Sequence, residues 1–421
     1  MENFLAHTDE TREQLLKEIS VSSVNDLFKI IPQQALCAEF DLPDALSEMQ
    51  TQKQVKALAK KNNTEMISFL GAGVYNKFIP ACVSQVAQRF EFLTAYTPYQ
   101  PEISQGTLQV MYEFQSMICN LTGMDVANAS VYDGATACAE AILMASRITK
   151  REKVLIDENI NPEYKEVIKT YCRAIGIEIE WKITKEKINT GEFACVLIQN
   201  PNFYGEIEDI NLGEVLTLAN TLLAVCVDIS SLSILKAPAE YGAAIVVGDI
   251  QPLGIPMSFG GPHAGFMACR EKFMRQLPGR IAGRTLDAEG NQAFTLTIQT
   301  REQHIKREKA TSNICSNQAL IALCATLYLT LLGEKGFKQA GFLSAQNAHK
   351  LSEKLSQKGI KTINENFYNE FVIEVENSDK FLLKLRENGI IGGLKLDEKR
   401  ILIAVTEMNS DEDIELYCKS F

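Results

Sequence analysis

The sequence predicts an α/β protein whose large domain is built on a mainly parallel sheet with helices on both faces. The first observation is a series of short, nearly continuous apolar runs, which is typical of strands buried on both faces. These runs cover residues 153–157, 178–183, 194–199, 222–228, 243–248 and 265–269. The second observation is that helical patterns at 162–175 and 212–220 separate several of the runs, as in parallel β-α-β units.

Two smaller regions flank the predicted large domain, which we place at residues 62–315. Residues 1–61 are rich in helix formers and are interrupted by Pro32 and Pro43, so we expect an N-terminal helical arm. The apolar side chains of this arm must be buried against the main body or against another subunit. These side chains are Leu15, Leu16, Ile19, Leu27, Phe28, Ile30 and Ile31. Residues 316–421 predict a bridging helix and a small C-terminal α/β domain, with strands at 360–363, 370–375 and 400–405 and helices at 378–388 and 411–420.

Composition and charge restrict the function. A chain of 421 residues with net charge −11 and no long basic block argues against nucleic acid or an anionic membrane as a partner.

The longest uncharged apolar stretch, residues 316–333, is short for a membrane span and predicts a buried helix. The 11 cysteines are scattered singly and the 4 histidines lack metal-ligand spacing, so we expect a reducing compartment and no metal site. The polar, acidic start of the chain resembles no targeting signal, and we expect a cytoplasmic protein.

Residues 94–106 are the first candidate for a binding surface. They have neither helical nor strand periodicity, and Pro98 and Pro101 stiffen their backbone. A stiff segment loses little entropy when its side chains bind a ligand. The side chains able to form hydrogen bonds are Tyr96, Thr97, Tyr99, Gln100, Glu102 and Gln105. A rigid connector between two packed helices has the same features, so the residues alone leave both interpretations open.

A second candidate lies where polar turns meet the predicted sheet and its helices. The turn at 128–134, which contains Asp133, leads into a helix of small residues at about 135–147. The first backbone N–H groups of such a helix can bind an anion, although tight helix packing explains the small residues equally well. Asp228 and Asp249 follow predicted strands, and ligands of parallel sheets bind at the carboxyl ends of strands.

A third candidate is a basic cluster near residue 300. Arg301, His304 and Arg307 concentrate positive charge in an acidic protein. Thr300 and Gln303 have the spacing of a capping box, so a helix is expected to begin here. The cluster is either a solvated helix face with ion pairs or a surface that binds an anion or another subunit.

The predicted architecture resembles the aspartate-aminotransferase-like fold, which is fold type I of the pyridoxal-phosphate enzymes. It shares the arm, the large domain and the small C-terminal domain with that fold. There, an aspartate at the end of the strand corresponding to 222–228 binds the pyridine nitrogen, and a lysine after the next strand binds the cofactor covalently. Asp228 matches the aspartate, but Lys236 comes too early and Lys272 lies beyond a further strand.

Four long motifs resemble the glycine decarboxylase P-protein family, specifically its N-terminal half, which bacteria with a split enzyme make as subunit 1. They are TAYTPYQPEISQG at 94–106, NASVYDGATA at 128–137, PLGIPMSFGGP at 252–262 and TREQHIKREKATSNIC at 300–315. The resemblance extends over essentially the whole chain. Placing Gly254-Ile255-Pro256 against the Cys-Ile-Pro of the family's second half puts Gln251 at the position of that half's lysine.

The resemblance implies a division of roles between two chains. On this resemblance, we expect this chain to be the degenerate half, with pyridoxal 5'-phosphate bound covalently by P-protein subunit 2 in an α2β2 assembly. The enzyme, a glycine dehydrogenase (aminomethyl-transferring), decarboxylates glycine, releases CO2 and passes the aminomethyl group to the lipoyl arm of H-protein. Residues expected to reach the partner's site are Tyr96, Thr97, Tyr99, Gln100, Glu102, Gln105 and His304, with a tyrosine or His304 moving protons. Asp133, Arg301 and Arg307 are expected as secondary anion or interface contacts.

Two other functions stay open. A self-sufficient pyridoxal-phosphate enzyme needs an unusual lysine, for which Lys236 is the candidate. A structural or regulatory scaffold for the catalytic subunit would tolerate substitution throughout residues 96–105.

Overall fold

The computed structural model describes residues 8–36, 41–93, 97–183, 191–208, 216, 219–314 and 317–421. The described α-helices are α1 (Asp9–Glu18), α2 (Glu48–Ala59), α3 (Ala81–Ala87), α4 (Phe90–Leu93), α5 (Gln105–Thr122), α6 (Gly134–Thr149), α7 (Pro162–Ile175), α8 (Gln303–Lys306), α9 (Ala319–Gln357), α10 (Ser378–Glu387) and α11 (Asp411–Lys419). The described strands are β1 (Ile67–Ser68), β2 (Val126–Ala127), β3 (Lys153–Ile156), β4 (Glu178–Trp181), β5 (Cys195–Gln199), β6 (Leu222–Asp228), β7 (Ile245–Asp249), β8 (Gly265–Cys269), β9 (Ile281–Leu286), β10 (Gln292–Thr297), β11 (Lys361–Thr362), β12 (Glu370–Glu374), β13 (Ile390–Ile391), β14 (Leu394–Lys395) and β15 (Arg400–Ala404). The predicted helix at 212–220 lies mainly outside the described residues.

Contacts divide the chain into two units, Met1–Thr64 and Glu65–Phe421. The first unit is helical among its described residues. α1 begins after Thr8, whose side chain accepts a hydrogen bond from the backbone amide of Thr11, and α2 begins after Ser47 with a capping box. Neither helix has a buried residue. What covers the apolar side chains of this unit stays a prediction.

The second unit contains a seven-stranded sheet in the order β2-β8-β7-β6-β5-β3-β4. The pairs from β7 to β4 are parallel, and β8 runs antiparallel to both β7 and β2. Every residue of β7 and β8 is buried, as the apolar runs indicate. The predicted α/β fold with a mainly parallel sheet is therefore confirmed. In the register of β6 against β7, Asp228 pairs with Asp249, so both carboxylates lie at the carboxyl end of the sheet.

Helices cover both faces of this sheet and form a separate core on each. On one face, Phe114 and Ile118 of α5 belong to the same core as Ala325 of α9. On the other face, Ile142 of α6 packs in a core with Ile168 of α7. Alternate residues of β6 and β7 point into the two cores, as the pleat of a strand requires.

α9 packs into the first of these cores through Ala322, Ala325 and Tyr328. Helical dihedrals are interrupted at Gly333 (φ 58°, ψ −176°), so two helical segments meet there at a kink. By length and apolar composition alone, α9 also meets the criteria for a membrane span. Its contacts with the core account for the apolar stretch that the sequence predicted as a buried helix.

The small C-terminal domain contains an antiparallel sheet in the order β11-β12-β15-β14. α10, α11 and the second part of α9 share one core with this sheet, through residues such as Leu351, Leu385 and Tyr417. β1, at the start of the second unit, forms a parallel pair with β13. The first segment of the unit is therefore fastened to the small domain, which is formed by the end of the chain.

Two features between β8 and α9 differ from the prediction. The sequence did not indicate the antiparallel hairpin of β9 and β10. The capping box predicted from Thr300 and Gln303 is wrong, because α8 begins after Glu302, which makes no side-chain capping bond. Thr300 instead lies in a 3-10 turn, which Arg301 fixes by donating a hydrogen bond to the Gly279 carbonyl oxygen.

Gly248 in β7 provides a test of this packing. A Cβ there would lie 2.5 Å from the Val227 carbonyl oxygen and 2.9 Å from the Phe266 ring, whereas a Cβ at Gly106 meets nothing within 4 Å. We expect Gly248→Ala to lower the free energy of unfolding by about 1–3 kcal/mol through overpacking. The control Gly106→Ala, in the exposed first turn of α5, should raise it by up to about 1 kcal/mol. Urea denaturation measures both values, and equal effects would contradict the close approach at β7.

Candidate functional site

The carboxyl ends of β6 and β7 meet the amino end of α6, and polar groups concentrate at this point. The Asp249 carboxylate accepts hydrogen bonds from the backbone amide of Gly134 through Oδ2 (3.1 Å) and of Gln251 through Oδ1 (2.8 Å). Asp133 caps the same helix, since its Oδ1 accepts a hydrogen bond from the Thr136 amide (2.7 Å). Two carboxylates of the protein thus already occupy N–H groups at this positive helix end.

His263 brings a cationic group to the same point. Its Nδ1 lies 3.6 Å from Oδ2 of Asp249, and 18% of its side chain is exposed. The interaction with the Asp249 carboxylate raises the pKa of His263, although burial opposes the change. The protonated imidazole is therefore favoured beside the carboxylate.

Gln251 lies at the position that the sequence assigns to the cofactor-binding lysine, and its side chain holds the backbone. It is 1% exposed. Its Oε1 accepts a hydrogen bond from the Tyr75 amide (2.9 Å), and its Nε2 donates to the carbonyl oxygens of Tyr75 (3.0 Å) and Ile255 (2.9 Å). The oxygen and both protons of the amide are thus in use, and the side chain clamps the Tyr75 backbone to the loop after β7.

Tyr75 extends this network into the small domain. Its hydroxyl donates to Oε2 of Glu370 (2.7 Å), and the Ala72 amide donates to Oε1 (2.6 Å). Burial raises the pKa of Glu370 to about 7, against the lowering effect of these two hydrogen bonds. This buried carboxyl group therefore changes its protonation state near neutral pH.

Asp228 also has partners within the protein. Its carboxylate accepts hydrogen bonds from the amide and the hydroxyl of Ser230 (both 2.9 Å). Burial raises the pKa of Asp228, and the charge of Lys77 partly offsets this effect. Lys77 is itself buried and donates to Ser344 (3.0 Å) and Glu407 (3.1 Å). Asp228, which the resemblance predicts as the partner of a pyridine nitrogen, is held here by protein groups.

The residues at this point do not fit pyridoxal phosphate. The cavity beside Asp228 and Asp249 has a volume of about 30 Å³, whereas sites for ligands of cofactor size have about 300–1,000 Å³. The Tyr164 hydroxyl packs against Gly134. A Cβ added at Gly134 would lie 2.4 Å from the hydroxyl oxygen of Tyr164. Gln251, at the position predicted for the lysine, and Asp249, at the helix end, both have protein partners, so this closed site is built from protein groups.

A second cluster, formed by Tyr99, Arg280, Glu302 and His304, lies at the surface. Arg280 donates a hydrogen bond to the Tyr99 hydroxyl (3.0 Å), and the Tyr99 and His304 rings lie 5.0 Å apart. Oε2 of Glu302 lies 3.8 Å from Nε of Arg280 and 3.8 Å from Nδ1 of His304. Arg280 and Glu302 are buried, while Tyr99 and His304 are exposed. Two buried charges thus hold a hydroxyl and an imidazole side by side at the surface.

This Tyr99–His304 cluster brings together two residues that the sequence placed in different candidate regions. Thr97 is half-buried on the same segment as Tyr99. The other predicted residues on the segment or near α8 are exposed, namely Gln100, Glu102 and Arg307. Tyr96 lies outside the described residues.

Three further predicted residues are engaged with the backbone. Gln105 accepts a hydrogen bond from the Phe294 amide (2.8 Å) and donates to its carbonyl oxygen (2.9 Å), so it holds β10. Arg301 is buried and donates to the Gly279 carbonyl oxygen (2.9 Å). Asp133 caps α6. In this chain these three side chains position other elements.

Sequence reasoning missed Arg280 and Glu302 as the residues that hold the Tyr99–His304 cluster. The sequence gives Arg280 no specific partner. Its partner Tyr99 lies 181 positions away in the chain, and no spacing rule connects residues at that separation. Asn317, which accepts a hydrogen bond from Arg280 (3.0 Å), was missed for the same reason.

The profile of the family described as glycine cleavage system P-protein matches residues 2–421. The chain belongs to the P-protein family. The probable glycine dehydrogenase (decarboxylating) subunit 1 of Desulforamulus reducens is 48% identical, with 98% of each chain covered. The protein of the same name from Geobacillus thermodenitrificans is 45% identical, with 99% of this chain and 98% of that protein covered. The resemblance predicted from the four motifs is therefore confirmed.

Solved structures confirm the predicted aspartate-aminotransferase-like fold of this P-protein family member. A glycine decarboxylase (P-protein) of the glycine cleavage system, in inhibitor-bound form, has a TM-score of 0.91 at 39% identity, covering 100% of this chain and 99% of that chain. An aspartate aminotransferase from Thermus thermophilus has a TM-score of 0.57 at 12% identity, covering 84% of this chain and 99% of that chain, which shows the fold alone. The fold is thus that of pyridoxal-phosphate enzymes, although the closed site of this chain does not accommodate the cofactor.

Glu370 predicts a pH dependence of stability. Its pKa is about 7 in the folded protein against 4.5 for an ordinary glutamate, so folding favours the protonated form. The stabilising contribution is complete below pH 4.5 and is lost as the pH rises towards 7 and above. We expect Glu370→Gln to remove this loss, which amounts to about 3 kcal/mol of unfolding free energy. Chemical denaturation between pH 4.5 and 7.5 measures it.

The exposed Glu353 on α9 offers the matched control. Glu353→Gln should leave the pH dependence of the wild type unchanged. A Glu370→Gln variant with the same slope as the wild type would show that the Glu370 carboxyl does not titrate in this range.

Proposed function

We propose that this chain is the half of a two-chain P-protein that does not bind the cofactor. Together with a lysine-bearing partner, subunit 2, it decarboxylates glycine, releases CO2 and transfers the aminomethyl group to the lipoyl arm of H-protein. Pyridoxal phosphate is bound covalently by the partner. The name subunit 1 of the relatives supports a second subunit, and we propose an α2β2 assembly in the cytoplasm.

The observation that carries this proposal is the state of Gln251. A glutamine amide cannot form the covalent bond that a lysine amine forms with the cofactor's aldehyde, and here it is buried and bonded on all sides. Lys236, the candidate for a self-sufficient enzyme, is exposed. The cavity beside Asp228 is instead lined by residues such as Tyr75 and Tyr164.

We further propose that the Tyr99–His304 cluster contributes to the partner's site. A phenol and an imidazole both donate and accept protons, and here they lie side by side at the surface. Oε2 of Glu302 lies 3.8 Å from Nδ1 of His304, beyond hydrogen-bond distance, so both ring nitrogens can exchange a proton. Thr97, Gln100 and Glu102 lie on the same stiff segment and would contact the glycine, the cofactor or the entering lipoyl arm.

Covalent labelling tests the division of roles. The purified chain is mixed with pyridoxal phosphate, reduced with borohydride and measured by intact mass and absorbance. We expect no stoichiometric addition to this chain. After subunit 2 is added, the label should appear on the partner's lysine. A single labelled lysine in this chain alone, lost in Lys236→Ala, would show a self-sufficient enzyme instead.

Substitutions in the Tyr99–His304 cluster test its contribution. Glycine decarboxylation by the reconstituted pair should fall about 10²–10⁴-fold in Tyr99→Phe or His304→Ala if the residue transfers a proton. Lys306→Ala, on the same short helix as His304, and Tyr171→Phe on α7 are matched controls that should retain activity. Unchanged activity in both cluster variants would remove these residues from the mechanism and favour the scaffold role.

A further inference from the structure

We propose that a cavity on the small C-terminal domain binds an organic phosphate, a ligand that joins two or more phosphate charges to an apolar ring. The cavity has a volume of about 770 Å³, within the range of sites for small-molecule ligands. It contains no residue of the closed site or of the Tyr99–His304 cluster. The inference is therefore independent of the proposed function, and its test does not involve the partner subunit.

Four separate parts of the small domain form this cavity. They are the segment leading into β11, the end of β12 with the turn after it, the first turns of α10 and the residue before β15. Phe381 of α10 and Phe421 add apolar surface, with their ring centroids 4.8 Å apart. Because Phe381 is 9% exposed and belongs to the core of the domain, this apolar surface is in place before a ligand arrives.

The charged side chains of the cavity are mainly lysines. Two acidic residues line it, Glu374 and Glu376, against four lysines. Among the described residues, none of these four ammonium groups forms an ion pair, whereas Lys395 on β14 binds Asp379 of α10 (2.6 Å). A chain of net charge −11 thus has a cavity of positive charge. The four lysines are Lys361, Lys380, Lys384 and Lys399.

The positions of Lys380 and Lys384 are unfavourable for α10 alone. They are four residues apart and lie on the same face, where like charges destabilise a helix. Lys380 also lies in the first turn, at the positive end of the helix. Asp379 does not offset these charges, because it pairs with Lys395. An anion bound between the two lysines would offset both effects.

The chemistry of the lining favours a phosphate over a carboxylate. Lysine binds phosphate as a point charge, whereas bidentate recognition of a carboxylate is typical of arginine, and the described lining residues include no arginine. The apolar surface of Phe381 and Phe421 favours a ligand in which a ring accompanies the phosphates, since an inorganic anion would leave that surface exposed.

Isothermal titration calorimetry on the purified full chain tests the proposal, with adenosine triphosphate (ATP) as the organic phosphate and inorganic triphosphate as the probe without a ring. We expect one ATP per chain at low ionic strength without divalent cations. Lys380→Gln/Lys384→Gln should weaken ATP binding about tenfold, because two charged partners of the phosphates are lost. Inorganic triphosphate should bind about tenfold more weakly than ATP, because it has no ring to pack on Phe421.

Two further variants separate the contributions of the ring and of the charges. Phe421→Leu keeps an apolar side chain but removes the aromatic ring, so it should weaken binding of ATP and not of triphosphate. Lys335→Gln/Lys338→Gln removes two exposed lysines of α9 that lie outside the cavity, and binding of both probes should be unchanged. Circular dichroism should show that Lys380→Gln/Lys384→Gln is folded with an undiminished Tm, since this change removes a repulsion between like charges.

Three results would overturn the proposal. The first is a wild-type chain that does not bind ATP. The second is equal affinity for ATP in the wild type and in Lys380→Gln/Lys384→Gln. The third is equal affinity of the wild type for ATP and for inorganic triphosphate, which would mean a general attraction of anions without a site for the ring.

Discussion

The structure of the second unit depends on one constraint: the polar groups where β6, β7 and α6 converge must be satisfied by the protein itself. Asp249 meets the amino end of α6, and Gln251 clamps the backbone of Tyr75. The Tyr75 hydroxyl in turn donates a hydrogen bond to Glu370, at the start of β12 in the small domain's sheet. A buried polar group without a partner would destabilise the fold, so these bonds fix the small domain against the carboxyl end of the large sheet.

The two polar clusters differ in their access to solvent. At the site around Asp249 and Gln251, the carboxylate and the amide are hydrogen-bonded by protein groups. In the Tyr99–His304 cluster, the buried charges of Arg280 and Glu302 lie beneath side chains that face outward. Under the proposed function, a chain whose own strand ends do not bind the cofactor still presents prepared side chains to its partner. The site around Asp249 and Gln251 thus provides rigidity, and the Tyr99–His304 cluster provides the groups to which the proposed function assigns chemistry.

Much of the fold could be predicted from the sequence because apolar periodicity is a local signal. The bounds of β6, β8 and α7 match the predicted runs, and the mainly parallel sheet follows from the alternation of strands with helices. The hairpin of β9 and β10 was missed, because its short strands carry polar residues and lack a continuous apolar run. Tyr99 and His304 could be selected by residue type, but their link through Arg280 and Glu302 could not, since it joins distant parts of the chain. The capping box failed because Arg301, held by the Gly279 carbonyl, fixed a different turn.

The parallel pair of β1 and β13 has a consequence for the order in which the chain acquires its structure. Ile67 pairs with Ile390, and Lys77 binds Glu407, so an early segment has its partners near the carboxyl terminus. During synthesis this segment leaves the ribosome long before those partners exist, and contacts of such long sequence separation form late. The β1–β13 pair and the Lys77–Glu407 ion pair can therefore form only after the last strands have been made. A chain truncated before residue 390 would lack the partners of both Ile67 and Lys77, so its first segment would have no docking place in the small domain.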